Sequence, residues 1–258
     1  MPETWELISK GTPTEFVDAL AAEALDHVAV HHPFLERIAS GDLPNVAWSL
    51  RDYAYQYAFY SREFPNYLVG VIENLESAEH REALLENLAE ERGNPESGAF
   101  EDLPHTELFE HFQRAIGIDE TYRAENKPAT TVEVWRDLAL QKCQSEQIGV
   151  AVGAIGVGTE FIVPTVYTYL LEGIRTYTEL TEQDYFFFTL HATCDQEHAD
   201  DLRKITIDLA GPSSNREAIR FGVLSALNLR KAFFDIMLSR AMDAPPAASD
   251  STGAPVGY

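Results

Sequence analysis

Cysteine is nearly absent from this chain of 258 residues: Cys143 and Cys194 are the only two. That is too few for a disulfide framework, and their spacing does not suit a cysteine-based zinc site. Positive charge is scarce as well. Lys and Arg number 19 against 42 Asp and Glu, a formal net charge of −23, and the cations are scattered rather than gathered into a stripe. Such a chain repels a phosphate backbone and an anionic lipid surface, so neither nucleic acid nor membrane is an expected partner. Long uninterrupted apolar runs are missing too: the most apolar stretch, Ile148 to Val166, carries four glycines and Glu160. The opening Met-Pro-Glu-Thr-Trp-Glu lacks the basic segment and apolar run of a secretory leader, which makes a cytoplasmic location the expectation. Finally, no segment alternates apolar and polar residues for long enough to demand a sheet, and the expected fold class is all-α.

What is present is helical periodicity over a chain long enough to bury a large core. Thr12-Pro13-Thr14-Glu15 carries the capping-box pattern and predicts a first helix running past His27. His32-Pro33 marks a bend, and an aromatic-rich helix is expected over about Val46 to Arg62. Ser77 caps a helix ending near Glu91, stopped by Gly93-Asn94-Pro95. A further helix begins at about Pro104. A long helical region from Thr130 or Thr131 to Arg175 should be broken or kinked around Gly153, Gly156, Gly158 and Pro164. Thr181 is expected to open a helix through Leu209, and Gly211-Pro212-Ser213 the last one, ending near Met242. Residues 1–242 read as a single domain. Asp243 to Tyr258, rich in Pro, Ala, Ser and Gly, reads as a disordered tail.

The chemistry concentrates in Leu190-His191-Ala192-Thr193-Cys194-Asp195-Gln196-Glu197-His198. At about 100° per residue, His191, Asp195 and His198 fall within about 60° on one helical face. Two imidazoles and a carboxylate so placed suit a divalent first-row metal, and for iron they leave positions open for O₂ or substrate. The same spacing also occurs on solvated acidic faces. Glu160 is a second signal, because a lone carboxylate in so apolar a segment needs a cation, a proton or a hydrogen-bond partner. Glu91 or Glu90 at one helix end and His105 at the next helix start add a further carboxylate and imidazole.

Together these residues resemble the heme-oxygenase-like diiron oxidase and oxygenase superfamily, the iron-containing redox enzymes. The likeness is carried by His191-x₃-Asp195-x₂-His198, by Glu160 about thirty residues upstream, and by Asn87-x₃-Glu91-x-Gly93 with His105-x-x-Leu108-Phe109. His32-Pro33-Phe34-Leu35 followed by Gly41-Asp42-Leu43 is similar to the family's first-helix pattern. The resemblance implies a heme-oxygenase-like helical bundle of about seven core helices. It implies a metal-ligand set of Glu91, His105, Glu160, His191, Asp195 and His198, holding two Fe(II) per chain. O₂ is then the co-substrate, oxidation proceeding through a bridging peroxide. One departure is the long interval between Glu91 and His105, filled by a loop containing Glu96, Glu101 and Asp102.

Other branches of the fold are less well matched. Thiaminase-like hydrolases need a nucleophilic Cys, whereas Cys194 reads as a packing residue. True heme oxygenases use a proximal His on the first helix, for which His27, His31 or His32 would serve. A branch that consumes its own Tyr and Lys to make an aromatic amine carries a Lys where this chain has Leu170. The reading that remains is oxidation of a small amino acid or other carboxylate by C–C fragmentation, desaturation or N-oxygenation, with fatty acids as a second substrate class. Tyr53, Tyr57, Tyr60, Phe64 and Tyr167 supply an aromatic interior, and Arg220 a candidate carboxylate partner. An external electron donor and a homodimer are compatible with this reading. The alternative from another class is a non-catalytic helical metal-binding or interaction protein.

Overall fold

Thr12 and Glu15 close the expected capping box. The Thr12 hydroxyl accepts from the Glu15 amide at 3.2 Å, and the Glu15 carboxylate accepts from the Thr12 amide at 2.8 Å. With Pro13 at the first helical position, this starts α1, Pro13–Leu25. A computed structural model describes residues 10–193 and 196–247. The further helices are α2 (Pro33–Ser40), α3 (Val46–Ser61), α4 (Phe64–Asn74), α5 (Ala78–Arg92) and α6 (His105–Ala115). Next come α7 (Glu120–Glu125), α8 (Thr130–Cys143), α9 (Ile148–Ile155) and α10 (Val163–Tyr177). The chain continues with α11 (Phe186–Thr193), α12 (Gln196–Leu209) and α13 (Ser213–Met242). No strand occurs among the described residues.

The all-α bundle agrees with the sequence, but the helices outnumber the expected seven because several stretches are interrupted. The region from Thr130 to Arg175 becomes three helices. Gly153 lies inside α9, and the break falls after it: Gly156 takes φ −73°, ψ −93°, the Gly158 amide donates back to the Gly153 carbonyl, and the Thr159 hydroxyl donates to the Ala154 carbonyl. Thr181 does not open a helix. Its amide and hydroxyl both donate to the Asp184 carboxylate, and this turn delays α11 to Phe186.

The closest helix pair is α9 with α13, and glycines on both sides permit it. A Cβ added to Gly153 would overlap the Ile219 backbone, and one on Gly222 would overlap the Val150 carbonyl oxygen. The two backbones are therefore in contact, which seats the turn carrying Glu160 in the interior of the bundle. The stretch 148–177 has the length and hydropathy to cross a membrane, but 78% of its most apolar window is buried inside the fold. Of the expected tail, residues 243–247 lie against the start of α3, where the Asn45 amide donates to the Pro245 carbonyl and the Ala247 amide to the Pro44 carbonyl. The remainder lies outside the described residues.

Candidate metal centre

Glu91 stands in the last turn of α5, four residues after Asn87, and both are buried. Gly93 ends the helix with φ +63°, a conformation that side chains rarely adopt. A Cβ there would lie 2.5 Å from the Asp102 carbonyl oxygen, so only glycine lets the far end of the following loop pack this closely. The Asn94 amide donates to that same carbonyl at 2.7 Å. The loop thus closes on itself and returns the chain to its point of departure. His105, first residue of α6, arrives beside Glu91 with Nδ1 3.0 Å from Oε1. The long interval between these two residues is absorbed by a closed loop.

His191 approaches from α11. Its Nδ1–H donates to the Phe187 carbonyl oxygen at 2.7 Å, which leaves the Nε2 lone pair free to coordinate. Its ring centroid lies 4.7 Å from that of His105. One ligand atom each from Glu91, His105 and His191 falls within 4.8 Å of the others. Burial, followed by the neighbouring His105, pushes His191 down to about 4, so the imidazole is neutral at physiological pH. Burial pulls the Glu91 carboxyl upward, but the His105 hydrogen bond, followed by electrostatic interaction with the surrounding imidazoles, outweighs it and holds Glu91 below the usual range.

Glu160, 4% exposed, begins the short turn before α10 and lines the same cavity as these three residues. The cavity has a volume of about 40 Å³, with Tyr57, Tyr60, Phe64 and Tyr167 among its walls. Tyr53 lies instead in the packed core, stacked on Tyr57. His198 on α12 is buried, with Nε2 2.9 Å from Oε2 of Glu90. The two adjacent glutamates therefore diverge: Glu91 joins the cluster, while Glu90, with a side chain 63% exposed, holds His198. Asp195 and Cys194 lie outside the described residues.

The donor set fits a divalent iron site. Two imidazoles and two carboxylates from separate helices converge in a buried, aromatic-walled cavity, and one imidazole is fixed by a backbone carbonyl in its ligating tautomer. Two carboxylates confined there would be costly without a cation to balance them. Cys143 lies outside this set. Burial pushes its thiol up to about 12, so it stays protonated and inert. A thiol-reactive dye added to native protein at neutral pH should therefore label at most one of the two cysteines, and the second only on unfolding. Rapid labelling of both would contradict the placement of Cys143.

A heme-type axial role is not open to His32, since both of its nitrogens are occupied. Nδ1 accepts from the Phe34 amide, and Nε2 donates to Asp235. Arg220 is also committed elsewhere, because the Glu23 carboxylate already takes its two-pronged guanidinium. Sequence reasoning passed over Arg230, which is 1% exposed inside the bundle. A signal was available: buried Ile219, Val223, Leu227, Phe234, Met237 and Ala241 recur at three- and four-residue spacing, and Arg230 falls in that stripe.

Comparison with known proteins bears on the family and the fold. Residues 51–231 match the family model described as iron-containing redox enzyme. A 4-aminobenzoate synthase of Chlamydia pneumoniae is 26% identical over 216 residues, covering 83% of this chain and 91% of the relative. A solved CadD-like protein of unknown function from Nostoc punctiforme superposes with a TM-score of 0.72 at 14% identity, over 90% of this chain and all of that one. A domain with a heme oxygenase-like fold from Shewanella denitrificans gives 0.63 at 15% identity, over 90% and 94%. A helical bundle of this fold, a buried cluster of iron-type ligands and a family match over most of the chain lead to one conclusion: the protein belongs to the iron-containing redox enzyme family.

Proposed function

We propose that this protein is an O₂-activating oxidase or oxygenase for a small amino acid or related carboxylate. Glu91, His105, Glu160, His191 and His198, together with Asp195, would hold two Fe(II) ions. The buried convergence of Glu91, His105 and His191 is the observation that carries this reading. Bound ferrous iron supplies the electrons that reduce O₂ and the oxidant that acts on the substrate.

The chain's own residues set the conditions. The Phe187 carbonyl orients His191, and the closed loop after Gly93 fixes His105 against Glu91. Tyr167 borders His191 at 5.9 Å between ring centroids and shares a 3.0 Å hydroxyl hydrogen bond with Tyr57. Burial holds the Tyr167 phenol far above its ordinary range, so it stays a protonated hydrogen-bonding group. Phe109, Phe187 and Phe188 pack edge to face beside them and exclude water from that side. A short, aromatic-walled cavity favours a small substrate over a long aliphatic chain.

The name of the chlamydial relative raises formation of an aromatic amine as a second reading. Leu170, buried and aliphatic, stands where the resemblance places a lysine for that chemistry, which favours a substrate taken from solution. The test is O₂ uptake by anaerobically Fe(II)-loaded protein with a panel of amino acids and fatty acids. One small carboxylate should accelerate uptake and yield a product detectable by mass spectrometry. Uptake indifferent to every compound, with iron retained, would favour the non-catalytic alternative.

A further inference from the structure

Arg230 is a cation buried deep in the bundle with no hydrogen-bond acceptor among the described residues. Its Nε, Nη1 and Nη2 all lack one, and no carboxylate lies within ion-pair distance among the described residues. Its guanidinium rests over the rings of Tyr60 and Trp135, at 5.7 and 5.5 Å from their centroids. Those faces supply some attraction but leave every N–H without a partner, a costly arrangement for so buried a charge. Arg230 lines a narrow cavity of about 10 Å³, together with Tyr60, Trp135, Cys143 and Thr159, which a carboxylate enters only as those side chains give way. Tyr60 and Thr159 line both this cavity and the one at the metal centre. Lys142 and Leu229 line both this cavity and an open cleft between α8 and α13. The three spaces are therefore neighbours that share walls, with Arg230 in the middle one and Glu160 in the innermost.

We propose that Arg230 is the anion-binding residue of the active site and takes the substrate's carboxylate, the rest of the substrate extending past Tyr60 and Thr159 to the metal centre. This rests on the oxidative reading of the cluster above. A planar guanidinium with free N–H groups matches a carboxylate bidentately, and such a pair relieves the unpaired charge. The binding residue thus destabilises the empty protein, and its ligand restores the balance.

The test uses the full chain without metal, with benzoate as the probe and benzamide as its neutral counterpart, followed by tryptophan emission and melting temperature. Benzoate should bind saturably and raise Tm, and benzamide should bind about tenfold more weakly or worse. Arg230→Met should melt at or above the wild-type temperature, lose the benzoate response and keep the wild-type iron stoichiometry. Arg230→Lys, which keeps the charge without the fork, should bind benzoate about tenfold more weakly and serves if the Met variant does not fold. Wild-type benzoate affinity in either variant would overturn the proposal. So would a wild-type protein indifferent to acetate, propionate and benzoate alike, or an Arg230→Met protein that melts lower while wild type ignores benzoate, which would make Arg230 a structural strut. Iron counting keeps the two readings apart: a protein that binds benzoate through Arg230 but takes up no iron when Fe(II) is offered removes the oxidative reading, and one that takes up iron but binds no benzoate removes the subsite alone.

Discussion

Replacing His191 with Ala is expected to abolish tight iron binding and turnover while leaving the helical circular dichroism intact. His191 is held by the Phe187 carbonyl in its ligating tautomer and lies within 4.8 Å of donor atoms on Glu91 and His105. Loss of an outer-shell partner costs roughly 10–100-fold in metal affinity, and loss of a ligand should exceed that. Glu160→Ala should behave similarly, because it removes a carboxylate lining the same cavity. Glu197→Ala is the control. It stands outside the proposed ligand set, and its replacement should change iron loading little. Iron stoichiometry by plasma emission and O₂ uptake check the set, and full iron retention in His191→Ala would reverse the assignment.

The largest stability effect is expected at the α9–α13 crossing. Gly222→Ala should cost about 3 kcal/mol, the upper part of the usual overpacking range, because the obstacle is the Val150 carbonyl and backbone cannot rotate away. For a chain of this size that is a fall in Tm of about 6–12 °C. Gly211→Ala, whose nearest new neighbour lies at 3.7 Å, should be close to neutral. Calorimetry on the pair separates a crossing that needs glycine from one that merely contains it. Because the turn bearing Glu160 follows α9 directly, Gly222→Ala should also weaken iron retention.

What the sequence made legible was local. The Thr12–Glu15 capping box, Ser77 as an N-cap, the stop at Gly93 and the long helix to Met242 all follow from side chains that satisfy or deny backbone groups nearby. What it hid was tertiary. The break after Gly153 falls where the Gly158 amide and the Thr159 hydroxyl take the Gly153 and Ala154 carbonyls, and a glycine pattern signals a close approach without saying where the helix yields. The closed loop after Gly93 depends on a contact with Asp102 nine residues away, so the Glu91–His105 spacing misled where the geometry does not. Glu160 stood out as a lone carboxylate in an apolar segment. Arg230 did not, because Lys231 beside it gives the pair the look of a solvated surface, although Lys231 pairs outward with Asp235 while Arg230 turns inward.

The most direct test is anaerobic Fe(II) equilibrium dialysis of the full chain, with metal counting and Mössbauer spectroscopy. Saturation at two Fe(II) per chain is expected, with spectra of high-spin ferrous iron in nitrogen and oxygen ligation and no tight binding in His191→Ala. Absence of saturable iron in the wild-type protein, or equal stoichiometry in the variant, would contradict an iron centre built on Glu91, His105 and His191.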